Sequence, residues 1–136
     1  MRAEIWFPGA WPSLNDLKDA AGYGGGKAGN GWNKLKQKWQ EGARWQIRAM
    51  RPKVPAFTAP VKIHYLHVRP NRRGDGSNYA AAAMKIIEDA LVAEGVIPND
   101  TFAWVAGFSH EFRFVGAPGV RVTIELAALA GTDQVA

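Results

Sequence analysis

Residues 72–100 read RRGDGSNYAAAAMKIIEDALVAEGVIPND, and this stretch decides the fold. Four alanines followed by Met84, Ile86, Ile87 and Leu91 give Tyr79–Glu94 high helix propensity and one apolar side. Asn78 is the expected N-cap, because a short side-chain amide can accept from the unpaired N–H groups of a first turn. Gly95 is expected just past the end, where helices turn left-handed. A polar loop over 71–78 leads in, and Val96-Ile97-Pro98-Asn99-Asp100 is a short apolar step into a turn.

Outward from this helix the apolar period changes. Val61, Ile63 and Tyr65 alternate within Val61–Val68, which reads as a strand. Downstream, Phe102–Val115 and Val120–Ala127 read as two strands joined as a hairpin around Ala117-Pro118-Gly119. Trp32–Met50 reads as a second helix, with Leu35, Trp39, Ala43, Ile47 and Met50 along one face and Pro52 and Pro55 after its end. Ala3–Phe7 is a short strand, after which Pro8, Pro12, Ser13 and Asn15 are expected to break regular structure. The run AGYGGGKAGNG at 21–31 is expected to be a flexible loop, and the tail from about 130 to 136 disordered. The expectation is one domain over 1–136. Its class is α+β, a sandwich of a small mixed β-sheet with two main helices packed against it.

Composition narrows the function classes. A chain of 136 residues with 47% apolar content can bury a real core. Absence of cysteine excludes disulfides and thiolate metal sites and favours a reducing compartment. The start lacks a signal-peptide core and no run of 18 apolar residues occurs, so a cytoplasmic protein with no membrane partner is expected. Lys27 lacks both the glycine six residues before it and the Ser or Thr after it that a P-loop needs, so no nucleotide cofactor is expected. The net charge of +5 is unevenly spread. Residues 1–73 hold 14 basic and 4 acidic side chains, whereas 74–136 hold 3 and 8. That layout suits a basic surface attracting a polyanion, with an acidic cluster inside its field. Drifting balance among solvated faces is the plainer alternative.

At about 100° per residue, Asn78, Lys85 and Asp89 fall within about 40° on one face of the Tyr79–Glu94 helix. Asp75 lies just before its start and Asp100 beyond its end. The helix separates its ends by more than about 20 Å, so Asp100 joins the others only if its loop folds back. Asp75, Asp89 and Asp100 are hard oxygen donors of the kind Mg²⁺ or Mn²⁺ accepts, and such ions assist attack on phosphodiesters. Lys85 can neutralise charge building on a phosphate oxygen. Taken singly, Lys85 and Asp89 are also an ordinary i,i+4 pair, and Asp75 and Asp100 ordinary turn residues. His64 and His67 face opposite sides of their strand, His110 stands alone, and no Ser–His–Asp arrangement is expected.

The spacing Arg72, Arg73, Asp75, Asn78, Lys85, Asp89, Leu91, Gly95 and Asp100 resembles the RusA family of Holliday-junction resolvases, in its phage and prophage branch. Trp6-Phe7-Pro8, Pro12-Ser13-Leu14-Asn15 and the closing Arg121-Val122-Thr123-Ile124-Glu125 resemble the family's first strand, its Pro-Ser-Asn turn and its last strand. The resemblance implies a homodimeric α/β protein of a bacterial or phage-infected cell that binds four-way or branched DNA. It implies symmetric nicking with Mg²⁺, which Mn²⁺ can replace. Asp75, Asp100 and Asp89 would be metal-binding catalytic carboxylates and Lys85 a catalytic or phosphate-contacting residue. Lys27, Lys34, Lys36, Lys38, Arg69, Arg72, Arg73 and Asn78 would contact DNA. Trp32 and Trp45 are candidates for stacking on unpaired bases, while Trp39 lies on the apolar stripe and suits the core. Ser77 stands where the best-known members carry a second Asp. A junction-binding protein without catalysis, or a general basic nucleic-acid module, are the alternatives.

Overall fold

The computed structural model describes residues 1–21 and 30–128. Its elements are β1 (Arg2–Pro8), α1 (Leu14–Ala21), α2 (Asn30–Ala49), β2 (Val61–Val68), α3 (Gly76–Ala93), β3 (Val105–Arg113) and β4 (Gly119–Leu126). The four strands form one mixed sheet in the order β1-β4-β2-β3, with β2 and β3 parallel and the other pairs antiparallel. An α+β fold is what the sequence led us to expect. Lys27, most of the glycine-rich run and the tail lie outside the described residues.

Three local expectations change. First, β3 and β4 are not a hairpin. The chain leaves β3 at Arg113 and enters β4 on the far side of β2, so β2 separates them. Burial explains the choice: Val120, Val122 and Ile124 of β4 are all at most 1% exposed and need a central position. Alternate residues of β3 are Ser109, Glu111 and Arg113, all exposed, which suits an edge strand. Second, α1 exists. Ser13 Oγ accepts from the Asp16 amide at 3.1 Å, and the Asp16 carboxylate accepts from the Ser13 amide at 2.9 Å. This reciprocal cap starts a helix where three turn-forming residues had suggested none, and α1 and α2 take Ala21, Asn30 and Gly31 from the expected loop. Third, the N-cap of α3 is Asp75 rather than Asn78: the Asp75 carbonyl accepts from the Asn78 amide at 3.0 Å.

β2, α3 and β3 make a crossover unit, the connection that parallel neighbours require. The helix lays Ala83, Ile86, Ile87, Ala90 and Leu91 on the sheet, against Ile5, Phe7, Ile63, Tyr65, Val122 and Ile124. Its C-terminus closes with Gly95 at φ +73°, the Gly95 amide bonding to the Val92 carbonyl and the Val96 amide to the Leu91 carbonyl. α2 adds Ala43 and Ile47, and Trp39, partly buried, packs against this core and meets Trp11 at 4.7 Å between ring centres. Arg44 and Arg48 of α2 clasp Glu94, each with an Nε 2.7 Å from a carboxylate oxygen. The opposite sheet face carries crossing charges such as Arg2, Glu4, Arg121 and Glu125.

Candidate functional site

The loop after α3 folds back. Lys85 Nζ lies 3.2 Å from Asp100 Oδ2 and 3.2 Å from Asp89 Oδ1, so α3 and the following turn deliver two carboxylates to one ammonium. Lys36 of α2 reaches the other oxygen of Asp89 at 3.2 Å. Bonds to Asp89 and then Asp100 raise the Lys85 pKa, and its partial burial acts against them. Thr101 holds the turn, its amide and hydroxyl both bonding to Asn99 Oδ1.

Glu88 joins this group from the buried side. One residue before Asp89, it is 7% exposed. Burial pushes its carboxyl up to about 7; the Asp100 charge adds to this, Lys85 opposes it, and Asp89 adds a little more. Beneath it lies Tyr65, fully buried, whose hydroxyl finds no hydrogen-bond partner among the described residues. Its pKa is raised by burial first and by the Glu88 charge second.

Asp75 stands apart. It begins α3, and ten residues at 1.5 Å each put it about 15 Å along the axis from Lys85. Although Asp75 is the N-cap, its side chain makes no cap bond. Among the described residues no three acidic or histidine side chains close around a single metal position. The structure thus groups Lys85, Asp89 and Asp100, with Glu88 beside them, and leaves Asp75 and Asn78 near the other end of the helix.

That other end is basic and aromatic. Arg69 lies 3.7 Å above the Tyr79 ring and donates to the Trp11 carbonyl at 2.7 Å. Arg72 sits 4.3 Å over the Phe114 ring. Arg73 is exposed, and so are Lys34 and Lys38 on α2. None of Arg69, Arg72, Arg73, Lys34 and Lys38 forms an ion pair with another described residue, whereas Lys36 is engaged by Asp89.

The histidines depart from expectation. His64 and His67 do face opposite sides, but His110 is not alone: its Nδ1 lies 2.9 Å from His67 Nε2. The parallel register sets Tyr65 opposite His110 and His67 opposite Phe112, so the four rings stack on the helix side of the sheet. Burial first, then His110, Arg69 and His64, push His67 down to about 4. On the open face a Ser–His–acid contact does occur. His64 Nδ1 is 2.6 Å from Ser109 Oγ and its Nε2 is 3.2 Å from Glu111. Ser109 is the direct register partner of His64 and Glu111 lies two residues on, so cross-strand pairing accounts for the trio. Its acid and base are both at least 40% exposed, which gives none of the water-excluded setting that acyl transfer exploits. No spacing in the sequence could reveal either histidine contact, since both depend on the β2–β3 register.

No helix among the described residues is long and apolar enough to cross a membrane. A scan against protein-family models finds no match, and neither does a search of curated proteins.

Proposed function

We propose that this chain is a Mg²⁺-dependent endodeoxyribonuclease that resolves four-way junctions and other branched DNA by paired, symmetric phosphodiester hydrolysis, acting as a homodimer of the RusA type. The observation that supports this most is the return of Asp100 to Lys85 and Asp89, across a loop whose course the sequence left open. Two carboxylates of different elements already share one cation there, the Lys85 ammonium, and hard oxygen donors of this kind fit Mg²⁺ or Mn²⁺. Asp89 and Asp100 would hold the ion, and Asp75, about 15 Å away along α3, lies outside that cluster; when bound, the ion would supply Lewis-acid polarisation of the phosphate and an activated water. Lys85, held between Asp89 and Asp100, is placed to donate to a non-bridging phosphate oxygen as charge develops. Lys36 keeps Asp89 oriented. Lys34, Lys38, Arg69, Arg72 and Arg73, free of acidic partners among the described residues, supply the DNA contacts together with Asn78. Two copies of one site related by a dimer two-fold match the two-fold symmetry of a junction.

The test is incubation of a synthetic four-way junction and a linear duplex with Mg²⁺ or Mn²⁺. The junction should be nicked at symmetric positions, and Asp100→Asn should remove the activity. An intact junction in both metals, or unimpaired cutting by Asp89→Asn and Asp100→Asn, overturns the reading.

A second reading is supported by the distance of Asp75 from the Lys85 cluster and by Ser77 in the place of a carboxylate. In it the chain binds junctions selectively and has lost cleavage. Ser77→Asp should then create activity where the wild type has none.

A further inference from the structure

Beside the first turn of α3 lies a cavity of about 240 Å³ that the nuclease reading leaves without a role. Its walls are the rings of Tyr79, Phe112 and Phe114, and its rim is Arg69, Arg72 and Arg73. We propose that this cavity takes one unpaired nucleotide of a branched DNA, its base against the rings and its phosphate among the guanidiniums. This rests on the reading that the chain binds DNA.

The cavity is built rather than incidental. Arg69 is fixed at two points, over the Tyr79 ring and on the Trp11 carbonyl, and Arg72 sits 4.3 Å over the centre of the Phe114 ring. A guanidinium has five N–H donors in a rigid fork, so each of these side chains keeps donors for a ligand after such a contact. Three arginines within five residues repel one another, and no acidic side chain among the described residues pairs with any of them; an incoming anion offsets that repulsion. The loop that carries them turns at Gly74, at φ +85°, where a Cβ would stand 2.9 Å from the Tyr79 ring. Backbone and ring are in contact there, which keeps the wall in place.

Size and chemistry choose the occupant. The volume falls below the ~300–1,000 Å³ of clefts that enclose a drug-sized molecule, so one base with part of its backbone fits and a base pair does not. Aromatic faces beside cations are the means by which proteins hold single-stranded bases, whatever their sequence. The Phe112 ring is itself backed by His67, stacked at 4.7 Å between centres, so the floor is rigid.

The experiment uses the full chain and two duplexes of equal length at one salt concentration, one fully paired and one with a single bulged 2-aminopurine. Wild type should bind the bulged duplex about tenfold tighter, within the range for one base stacked on an aromatic ring, and quench the 2-aminopurine emission. In Phe114→Ala and in Arg72→Gln, both checked for folding by circular dichroism, that ratio should fall to about one. A ratio of one in wild type, or a ratio that survives in both variants, overturns the proposal. Titration with dAMP, followed by the ring resonances of Tyr79 and Phe114, separates the two readings. If dAMP shifts them in wild type but not in Arg72→Gln while junctions stay uncut, the cavity stands and the nuclease reading falls. If junctions are cut but neither the bulge nor dAMP engages these residues, the cavity assignment falls alone.

Discussion

The two ends of α3 carry opposite electrostatics on one rigid rod. Around Lys85 the charges are mutually engaged: the lysine with Asp89 and Asp100, Asp89 with Lys36, and Glu88 buried behind them. Around Asp75 the arginines have rings and a carbonyl for company but no carboxylate partner among the described residues. Interlocked charges resist reorganisation, which suits chemistry that needs groups placed in advance. Unpaired cations over aromatic faces suit a polyanion that arrives from solvent. A helix of 18 residues thus separates the place we propose for reaction from the place we propose for binding.

The largest effect should come from cutting that separation at the reacting end. Asp100→Asn removes one of two carboxylates on Lys85 and should lower junction cleavage by about 100-fold or more, with affinity for the junction changed less than threefold. Phe114→Ala should do the reverse, acting on affinity for unpaired bases. Electrophoretic mobility shifts and cleavage rates on one junction measure both. If Asp100→Asn and Phe114→Ala reduce the same quantity to the same degree, the two ends are one site.

The comparison can also be broken from beneath, through His67. Burial holds its imidazole pKa down to about 4 in the folded chain, against the usual 6.5. The folded protein binds that proton less readily than the unfolded chain does, so this contribution to stability is complete above about pH 6.5 and is lost as pH falls towards 4. The loss reaches at most about 3 kcal/mol. Urea denaturation at pH 7 and pH 4.5 should show a smaller loss in His67→Phe than in wild type. Equal losses would mean that His67 titrates normally.

How much of this was legible depended on the reach of each signal. α3 was legible because propensity, apolar period and the Gly95 stop all act within 20 residues, and Lys85–Asp89 followed from helical spacing alone. α1 was masked because Pro12, Ser13 and Asn15 were weighed as breakers, although Ser13 and Asp16 stand at cap spacing. The false hairpin came from a short link between two strand-like runs. What overrode it was burial: three apolar residues of β4 need cover on both sides, and the charged alternates of β3 do not. Asp100 at Lys85, His110 at His67 and Glu88 over Tyr65 all depend on how distant segments pack, which local pattern cannot encode.

A smaller effect tests whether the basic end owes its shape to Gly74. Its φ of +85° is a conformation that side chains with a Cβ adopt only at about 1–2 kcal/mol, and the added methyl would press on Tyr79. Gly74→Ala should lower the unfolding free energy obtained from urea denaturation by that amount and reduce the bulge preference, while the nicking rate at saturating junction falls less than twofold. A fall in nicking as large as that of Asp100→Asn would show that the loop and the Lys85 cluster move together.

The finest division is between cations that are free and cations that are used. Lys38 has no acidic partner among the described residues, whereas Arg44, six residues on along α2, is held 2.7 Å from Glu94. A cation that neutralises a phosphate releases a counterion, so removing it lowers the slope of log affinity against log salt by about 0.9 for duplex DNA. Lys38→Ala should show that change. Arg44→Gln should not, because its charge is already neutralised by Glu94, and Arg48 continues to hold that carboxylate. Binding isotherms at four salt concentrations resolve the difference. If the two substitutions alter the slope equally, then DNA draws on α2 without regard to its ion pairs, and the distinction between an engaged and an open basic surface fails on the helix where it is easiest to measure.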